Sequence, residues 1–576
     1  MDYKEKFEYW LSDPYFDEET RDELFKIKDD DKEIKERFSV ELEFGTAGLR
    51  GIMGAGTNRM NKYIIRKATQ GLANYILKSG SQDMGVAIAY DSRNNSKEFS
   101  EEAALCLAAN GIRAYIFDSL RPTPELSFVI RELRCISGIN VTASHNPPEY
   151  NGYKVYWEDG SQITPPHDAG IMKEVENIKE YSEIKTIDKQ TAVKNGLYTI
   201  MSKEVDDLYL DYLKSNVINV DLITKYASDL KIVYTPLNGA GNIMLRTLLS
   251  GLGFNNVHVV KEQEAPDGNF PTLKHANPES EEIYEYALKL AKDVDADLIL
   301  ATDPDADRLG IQVKDSNGNY HFLSGNITGC MMAEYILSQR TNFGTLPENP
   351  VIIKTIVTSN LADAIAKNYN VQLKEVLTGF KWIGKEILDM ETNNTGDFVF
   401  GFEESIGYLA GDNVRDKDSI ISSMLCCEIL AYCKSQNKTM WDYIIDIYKK
   451  YGYYVEGTKN IYFTGLEGQE KINSIMEYLR NNPLNKIGNY HVLSIRDYKK
   501  DIITDLKTGE TSSTGLPSSN VIYYDLVDNG WVCARPSGTE PKIKFYYGLK
   551  DTSLEDANAR LKALDIKLQE IINKAI

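Results

Sequence analysis

Long apolar runs are missing from this sequence. No stretch of its 576 residues approaches the roughly 20 consecutive apolar residues of a membrane-spanning helix, so no such span is expected. Cysteine is sparse. The seven residues are odd in number and include no Cys-x-x-Cys spacing, which argues for reduced thiols in a cytoplasmic setting. Met1 to Asp31 is acidic and aromatic, without the basic and apolar regions of a secretory leader, and none is expected there. Positive charge is also short: 65 Lys and Arg face 85 Asp and Glu, a formal net charge of −20. Such a surface repels nucleic acid and anionic membranes. It also repels phosphorylated molecules at long range, so any phosphate-binding function requires a local basic cluster set against the global field. Low-complexity segments are absent as well.

What is present is ordinary for a globular enzyme, with 42% hydrophobic and 26% charged residues. At roughly 150 residues per domain, the length predicts about four domains. Short apolar runs alternate with helix-period segments. Val86–Tyr90, Arg113–Phe117 and Ile136–Val141 read as buried strands, with a helix over Ser96–Asn110 stopped by Gly111. The pattern returns with Lys231–Tyr234, a helix ending near Gly251, Val257–Val260, a helix over Ser280–Lys292 and Asp297–Ala301, and Val351–Ile356 opens another such block. Strands without alternation, separated by helices, predict mixed or parallel sheets covered by helices. The last stretch differs: strands near Val521–Leu526 and Ile543–Tyr547 flank a loop, Lys507–Ser519 reads as loop, and a helix over Leu554–Ile572 follows. That predicts a smaller α+β domain.

Four loops contain reactive groups. Thr142-Ala143-Ser144-His145-Asn146-Pro147-Pro148 follows a strand, where α/β sheets place reacting residues. Ser144 suits a nucleophile and His145 a proton carrier, although adjacent side chains diverge and are not expected to pair in the manner of a protease. A Pro-terminated polar turn is the competing reading. In Asp303-Pro304-Asp305-Ala306-Asp307-Arg308, three carboxylates alternate directly after a strand. Like charges this close repel unless a cation lies between them, and hard oxygen ligands favour Mg²⁺ or Ca²⁺. An EF-hand fails here, because its sixth and twelfth positions are Arg308 and Lys314. A solvated acidic turn is the alternative. Gly401-Phe402-Glu403-Glu404-Ser405-Ile406-Gly407, read as lying after the strand Phe398–Phe400, suits sugar hydroxyls or a capped helix start. Arg535-Pro536-Ser537-Gly538-Thr539-Glu540-Pro541-Lys542 combines an Arg, two hydroxyls and a Gly-exposed backbone, as a phosphate cradle would; a polar hairpin connection is the alternative. Gly239-Ala240-Gly241 is not a dinucleotide fingerprint, since the third small position would be Met244, and it reads as a structural turn.

Each loop alone is ambiguous, but the four in this order resemble the α-D-phosphohexomutase superfamily. Its signature loops are a phosphoserine, a metal, a sugar and a phosphate loop, one per domain. The resemblance runs from Phe44 to the C-terminus. Phe44-Gly45-Thr46-Ala47-Gly48-Leu49-Arg50, Asn58-Arg59-Met60-Asn61, Asn151-Gly152-Tyr153-Lys154-Val155-Tyr156 and Thr378-Gly379-Phe380-Lys381-Trp382-Ile383-Gly384 point to the branch of bacterial α-phosphoglucomutases and phosphoglucomutase-2 type enzymes. Pro304 replaces a Gly common elsewhere in the superfamily and is usual in this branch.

The resemblance implies an α/β fold of three similar mixed-sheet domains, 1–202, 203–317 and 318–455, and a smaller α+β domain, 456–576. It implies a phosphate on Ser144, and Mg²⁺ held by Asp303, Asp305, Asp307 and the phosphoserine, with Arg308 in support. Arg50 lies near the reacting phosphoryl group, and His145 and Lys417 are candidates for proton transfer. Lys381, Glu403 and Ser405 hold the sugar; Arg535, Ser537, Gly538 and Thr539 hold the other phosphate. The implied reaction interconverts glucose 1-phosphate and glucose 6-phosphate, with glucose 1,6-bisphosphate as intermediate and activator. Phosphopentomutase and phosphomannomutase activities are alternatives within the family. A phosphatase using the same serine and metal is disfavoured by the distal phosphate loop. A non-catalytic sugar-phosphate-binding relative is disfavoured by the intact serine and aspartates.

Overall fold

Strands such as Val86–Tyr90, Ser137–Val141 and Leu298–Thr302 carry no polar alternation because both of their faces are covered, and every residue in them is buried. The computed structural model describes residues 1–42, 48–463, 465–537 and 542–575. The first sheet has six strands in the order Leu49–Ile52, Tyr150–Trp157, Ser137–Val141, Val86–Tyr90, Ala114–Phe117 and Tyr198–Met201. Its last four strands run parallel to one another, and Tyr150–Trp157 is antiparallel to both of its neighbours. The helix Ser96–Ala109 is capped at Asn110, as its spacing predicts.

The second sheet has the order Tyr320–Leu323, Leu309–Lys314, Leu298–Thr302, Lys231–Thr235 and Asn256–Val259. The third has the order Gln372–Val376, Pro350–Thr355, Asp397–Glu403 and Gly407–Ala410. Each sheet combines parallel strands with one or more antiparallel strands, so the three domains are α/β with mixed sheets. The second and third domains share one apolar core with the underside of the first, through residues such as Leu126, Leu249 and Met424. That shared core fixes the relative positions of the loops at the strand ends.

The fourth domain is built mainly on an antiparallel sheet running Tyr453–Tyr462, Lys542–Asp551, Trp531–Pro536, Ile522–Leu526, Tyr490–Asp497, Ile502–Asp505 and Thr511–Ser512, with helices Gly465–Asn481 and Leu554–Ala575 packed on it. Four local expectations are corrected. The segment between the two expected C-terminal strands contains a third, Trp531–Pro536, whose apolar residues are buried between both neighbours. Within Lys507–Ser519 the pair Thr511–Ser512 joins the sheet edge against Ile503 and Thr504. The strand opening the third loop continues to Glu403, so Gly401, Phe402 and Glu403 are strand and the turn itself is short. The helix expected from Ser280 begins as a 3₁₀ turn, Glu281–Tyr284, before Glu285–Val294.

Candidate active site

Ser144 stands where the chain leaves the buried strand Ser137–Val141. Its φ of 51° is in the left-handed region, an unusual conformation for a non-glycine residue. Thr142 Oγ1 fixes the turn by accepting from Ser144 N at 2.8 Å. The turn brings Ser144 Oγ to within 3.3 Å of His145 Nδ1. This corrects the expectation from sequence: side chains of adjacent residues diverge on extended backbone, but the positive φ swings them together. The serine oxygen also donates to Asp303 Oδ2 at 2.7 Å, across 159 residues of sequence.

Asp303, Asp305 and Asp307 occupy the hairpin between Leu298–Thr302 and Leu309–Lys314, and all three are buried. Their ligand oxygens lie within 4.8 Å of one another. Gly239 explains how this hairpin packs: a Cβ there would lie 2.5 Å from Pro304 Cα, and Ala240 N donates to Pro304 O at 2.8 Å. The Gly-Ala-Gly turn thus serves to seat the acidic hairpin. Asp303 Oδ1 accepts from the backbone N–H groups of Asp307 (3.1 Å) and Arg308 (3.0 Å). Asp305 Oδ2 accepts from Thr123 Oγ1 at 3.0 Å and Lys154 Nζ at 2.8 Å. Lys417 Nζ lies 3.2 Å from Asp307 Oδ2. By contrast, Asp305 Oδ1 and Asp307 Oδ1 are buried and have no hydrogen-bond partner among the described residues. Orphaned carboxylate oxygens are costly unless a cation meets them, and an all-oxygen set suits a hard divalent ion.

Burial, with the like charges of Asp305 and Asp307, pushes the Asp303 carboxyl well above its ordinary range. Burial acts on Asp305 in the same sense, but Lys154, with Asp303 and Lys417, outweighs it and holds that carboxyl down. Burial holds His145 well below the usual histidine range, reinforced by Arg308, Arg50 and Arg93, so the imidazole is neutral at pH 7. Burial would lower Lys417, yet Asp307, Asp416 and Glu403 outweigh it and keep the ammonium protonated. Arg308 stays charged for the same reason, with Glu279, Asp307 and Asp303 opposing its burial.

The remaining residues surround this centre. Arg50, on the edge strand Leu49–Ile52, donates to Asn146 Oδ1 at 2.9 Å and so touches the serine loop. Ser405 Oγ donates to Glu403 Oε1 at 2.8 Å, and the charge of Glu403 acts on both Lys417 and Arg308. Gly407 allows this approach, since a Cβ there would meet Lys417 Cδ at 2.2 Å. Beyond Glu403, burial and its charge push the Glu404 carboxyl up to about 7, with Lys544 and Arg535 of the last domain opposing. Arg535 lies at the end of its strand with Tyr546 O–H at 3.5 Å, and Ser537 N donates to Lys542 O at 2.8 Å. Gly538 and Thr539 lie outside the described residues, as do Phe44 to Ala47. Lys381 is less closely joined: its Nζ lies 5.5 Å from the Trp382 ring centroid, and Asp168 is the charge acting on it.

Residues 41–182, 207–318 and 324–451 match the α/β/α domains I, II and III of phosphoglucomutase/phosphomannomutase. The chain is 39% identical over 526 residues to the phosphoglucomutase of Staphylococcus saprophyticus, covering 91% of this chain and 94% of that one. It is 38% identical over 541 residues to the phosphoglucomutase of Staphylococcus aureus, covering 94% and 95%. This chain belongs to the phosphoglucomutase/phosphomannomutase family. Solved structures share its fold: parafusin (phosphoglucomutase) from Paramecium in an open form, with a TM-score of 0.69 at 18% identity over 93% of this chain and 96% of that one. A phosphoglucomutase/phosphomannomutase family protein from Burkholderia thailandensis aligns with a TM-score of 0.65 at 19% identity, over 92% and 97%.

Within this family member, two buried cations escaped the sequence reading. Lys154 is 3% exposed and reaches both Asp305 (2.8 Å) and Asp307 (3.4 Å) from an adjacent domain. A lysine between the aromatic and apolar residues Tyr153 and Val155 was the available signal. Arg93 lies under the serine loop, and its position after the buried strand Val86–Tyr90 gave a weaker hint.

Proposed function

We propose that this family member is a phosphoglucomutase, an isomerase that interconverts α-D-glucose 1-phosphate and glucose 6-phosphate through a phosphoserine at Ser144 and a glucose 1,6-bisphosphate intermediate. The observation that carries this reading is the hydrogen bond from Ser144 Oγ to Asp303 within a trio of buried aspartates. The orphaned oxygens of Asp305 and Asp307 fit a divalent cation, and Mg²⁺ is the proposed ion, held by the three aspartates and the phosphoserine. When bound, it would neutralise charge and polarise the phosphoryl group.

The sugar phosphate docks its resident phosphate on Arg535, Ser537, Gly538 and Thr539. Its free hydroxyl then faces phosphoserine 144. The bond from phosphorus to Ser144 Oγ breaks as a bond to the sugar oxygen forms. The hydroxyl proton leaves to a base, and a proton returns to the serine oxygen. Of the two candidates, His145 is neutral and 3.3 Å from Ser144 Oγ, whereas Lys417 is held as an ammonium by Asp307 and Asp416. His145 therefore suits the acceptor, and Lys417 offsets negative charge. Arg50 and Arg308 add positive charge near the transferred group. The bisphosphate next turns over and returns its other phosphoryl group to Ser144. Glu403 and Ser405 accept and donate hydrogen bonds, so they serve the sugar in either orientation, with Lys381 alongside. Each of the segments 1–202, 203–317, 318–455 and 456–576 supplies one of the four loops.

The seven free cysteines, all buried, support a reducing cytoplasmic setting, and no helix among the described residues is long and apolar enough to cross a membrane. The test is initial rates on glucose, mannose and ribose 1-phosphates with Mg²⁺ and glucose 1,6-bisphosphate. Glucose 1-phosphate should give the highest kcat/KM. Release of inorganic phosphate in place of isomerisation would favour a phosphatase.

A further inference from the structure

Arg93 is a buried charge whose only part in the chemistry above is its field on His145. It follows the strand Val86–Tyr90 and is 3% exposed. Its guanidinium donates to four carbonyl oxygens of one loop: Nη1 to Pro147 (2.8 Å) and Tyr150 (3.1 Å), and Nη2 to Ser144 (2.5 Å) and Asn146. Its Nε lies 3.4 Å from Asp91 Oδ2, which accepts from Thr142 Oγ1 at 2.6 Å. Thr142 Oγ1 is itself the acceptor for Ser144 N. A planar cationic fork fits such a set of fixed carbonyls, which a lysine ammonium does not match. The strained turn at Ser144 is therefore gripped from both sides by the Asp91–Arg93 pair.

The other contact of the guanidinium is in the second domain. The Phe270 ring lies 5.1 Å from the Arg93 guanidinium carbon. Gly268 packs so tightly here that a Cβ would come within 2.4 Å of Asn94 N. From Phe270 a relay of backbone contacts runs to the acidic hairpin. Phe270 N donates to Asp267 O (3.2 Å), and Asp267 N donates to Asn238 O (3.3 Å). The neighbouring Gly239 and Ala240 then abut Pro304. The loops that meet at Ser144 and Asp303 are thus also joined from behind.

We propose that Arg93 is a positioning residue for phosphoryl transfer, bracing the Ser144 loop against the second domain so that the serine oxygen keeps its distance from the acidic hairpin. The proposal rests on the mutase reading. Arg93 acts through backbone carbonyls of the serine loop, a set distinct from the residues assigned to the sugar and distal phosphate. Its loss should therefore lower kcat and leave KM nearly unchanged, since a misplacement of about 1 Å costs up to roughly hundredfold in rate.

The test uses the full chain with Arg93→Lys, Arg93→Ala and Phe270→Leu. The readouts are kcat, KM, melting temperature and the rate at which glucose 1,6-bisphosphate labels Ser144, followed by intact mass. For Arg93→Lys, labelling and kcat should fall about tenfold to hundredfold with KM within about twofold. Ethylguanidinium should restore part of the rate of Arg93→Ala. Phe270→Leu should show a smaller kcat loss in the same sense. Wild-type labelling rates in a folded Arg93 variant, or a loss expressed in KM alone, overturn the proposal. If neither Arg93 variant folds, a wild-type labelling rate in Phe270→Leu overturns it and a slowed one supports it. Failure to label the wild-type serine defeats the mutase reading and this proposal together; normal wild-type labelling with unimpaired variants defeats this proposal alone.

Discussion

Replacing Lys154 by methionine removes one cation from the acidic centre while preserving most of the side-chain volume. Lys154 lies 2.8 Å from Asp305 Oδ2 and 3.4 Å from Asp307 Oδ2. At an effective dielectric near 20, Coulomb's law assigns about 6 and about 5 kcal/mol to contacts of those lengths. Dehydrating the ammonium offsets several kcal/mol of that attraction. Thr123 still donates to Asp305, and Lys417 still faces Asp307, so the carboxylates are not left bare. The net cost of stranding one side of a buried pair is about 3–5 kcal/mol. For an unfolding unit of about 150–250 residues that corresponds to a fall in Tm of roughly 6–20 °C. The assay is thermal unfolding of wild type and Lys154→Met in chelator and again in excess Mg²⁺. Bound Mg²⁺ would replace the missing positive charge, so its stabilising shift should be larger in the variant. A variant that melts with the wild type in chelator, or gains no more from Mg²⁺, would falsify the role assigned to Lys154 as the standing counter-charge of this centre.

Other consequences are open to test. Ser144→Ala should eliminate turnover, and intact mass should show no phosphate on the variant; substantial turnover, or phosphate on another active-site residue, defeats the assignment. Exhaustive chelation should abolish activity and Mg²⁺ restore it, with Asp305→Asn needing more metal for the same rate; full activity after chelation is the contrary result. Arg535→Ala should lose about 1.5–3 kcal/mol of transition-state stabilisation, roughly tenfold to hundredfold in kcat/KM, in both directions alike. It should also come to depend on added glucose 1,6-bisphosphate as the intermediate escapes; loss in one direction only refutes a shared anchor. Glu456 reaches Ser359 from the first strand of the last domain, and burial pushes its carboxyl up from 4.5 to about 7. The folded state therefore favours the protonated form. Its contribution to stability is fully present below about pH 4.5 and is lost as pH rises through about 7. Glu456→Gln should flatten the decline in urea midpoint across that window; an unchanged slope refutes the assignment.

Much of the fold was legible because burial on both faces leaves a local mark. Val86–Tyr90 reads and folds as one strand, and the readings Ile136–Val141 and Asp297–Ala301 fall within a residue of the strands Ser137–Val141 and Leu298–Thr302. Trp531–Pro536 was harder to see, because its apolar stretch ends in Arg535 and Pro536 and reads as a connection. Its strand character comes from pairing with Ile522–Leu526 on one side and Lys542–Asp551 on the other, which are non-local contacts. Thr511–Ser512 is a similar case, a polar pair recruited to a sheet edge.

The chemical inventory could be read from local segments alone. A serine after a buried strand, three alternating aspartates directly after another, and an arginine with hydroxyls near the chain's end need only their own local segments to be recognised. The tertiary structure decided how they meet. Ser144 reaches Asp303 only because the first two domains are held on a common core, and His145 joins them only because the backbone at Ser144 turns left-handed. Lys154 shows the difference most plainly. In sequence it is one lysine among many, next to residues with which it has no charge interaction. In the folded chain it stands between two aspartates about 150 positions away, at a distance set by the packing of whole domains and by nothing in its own segment.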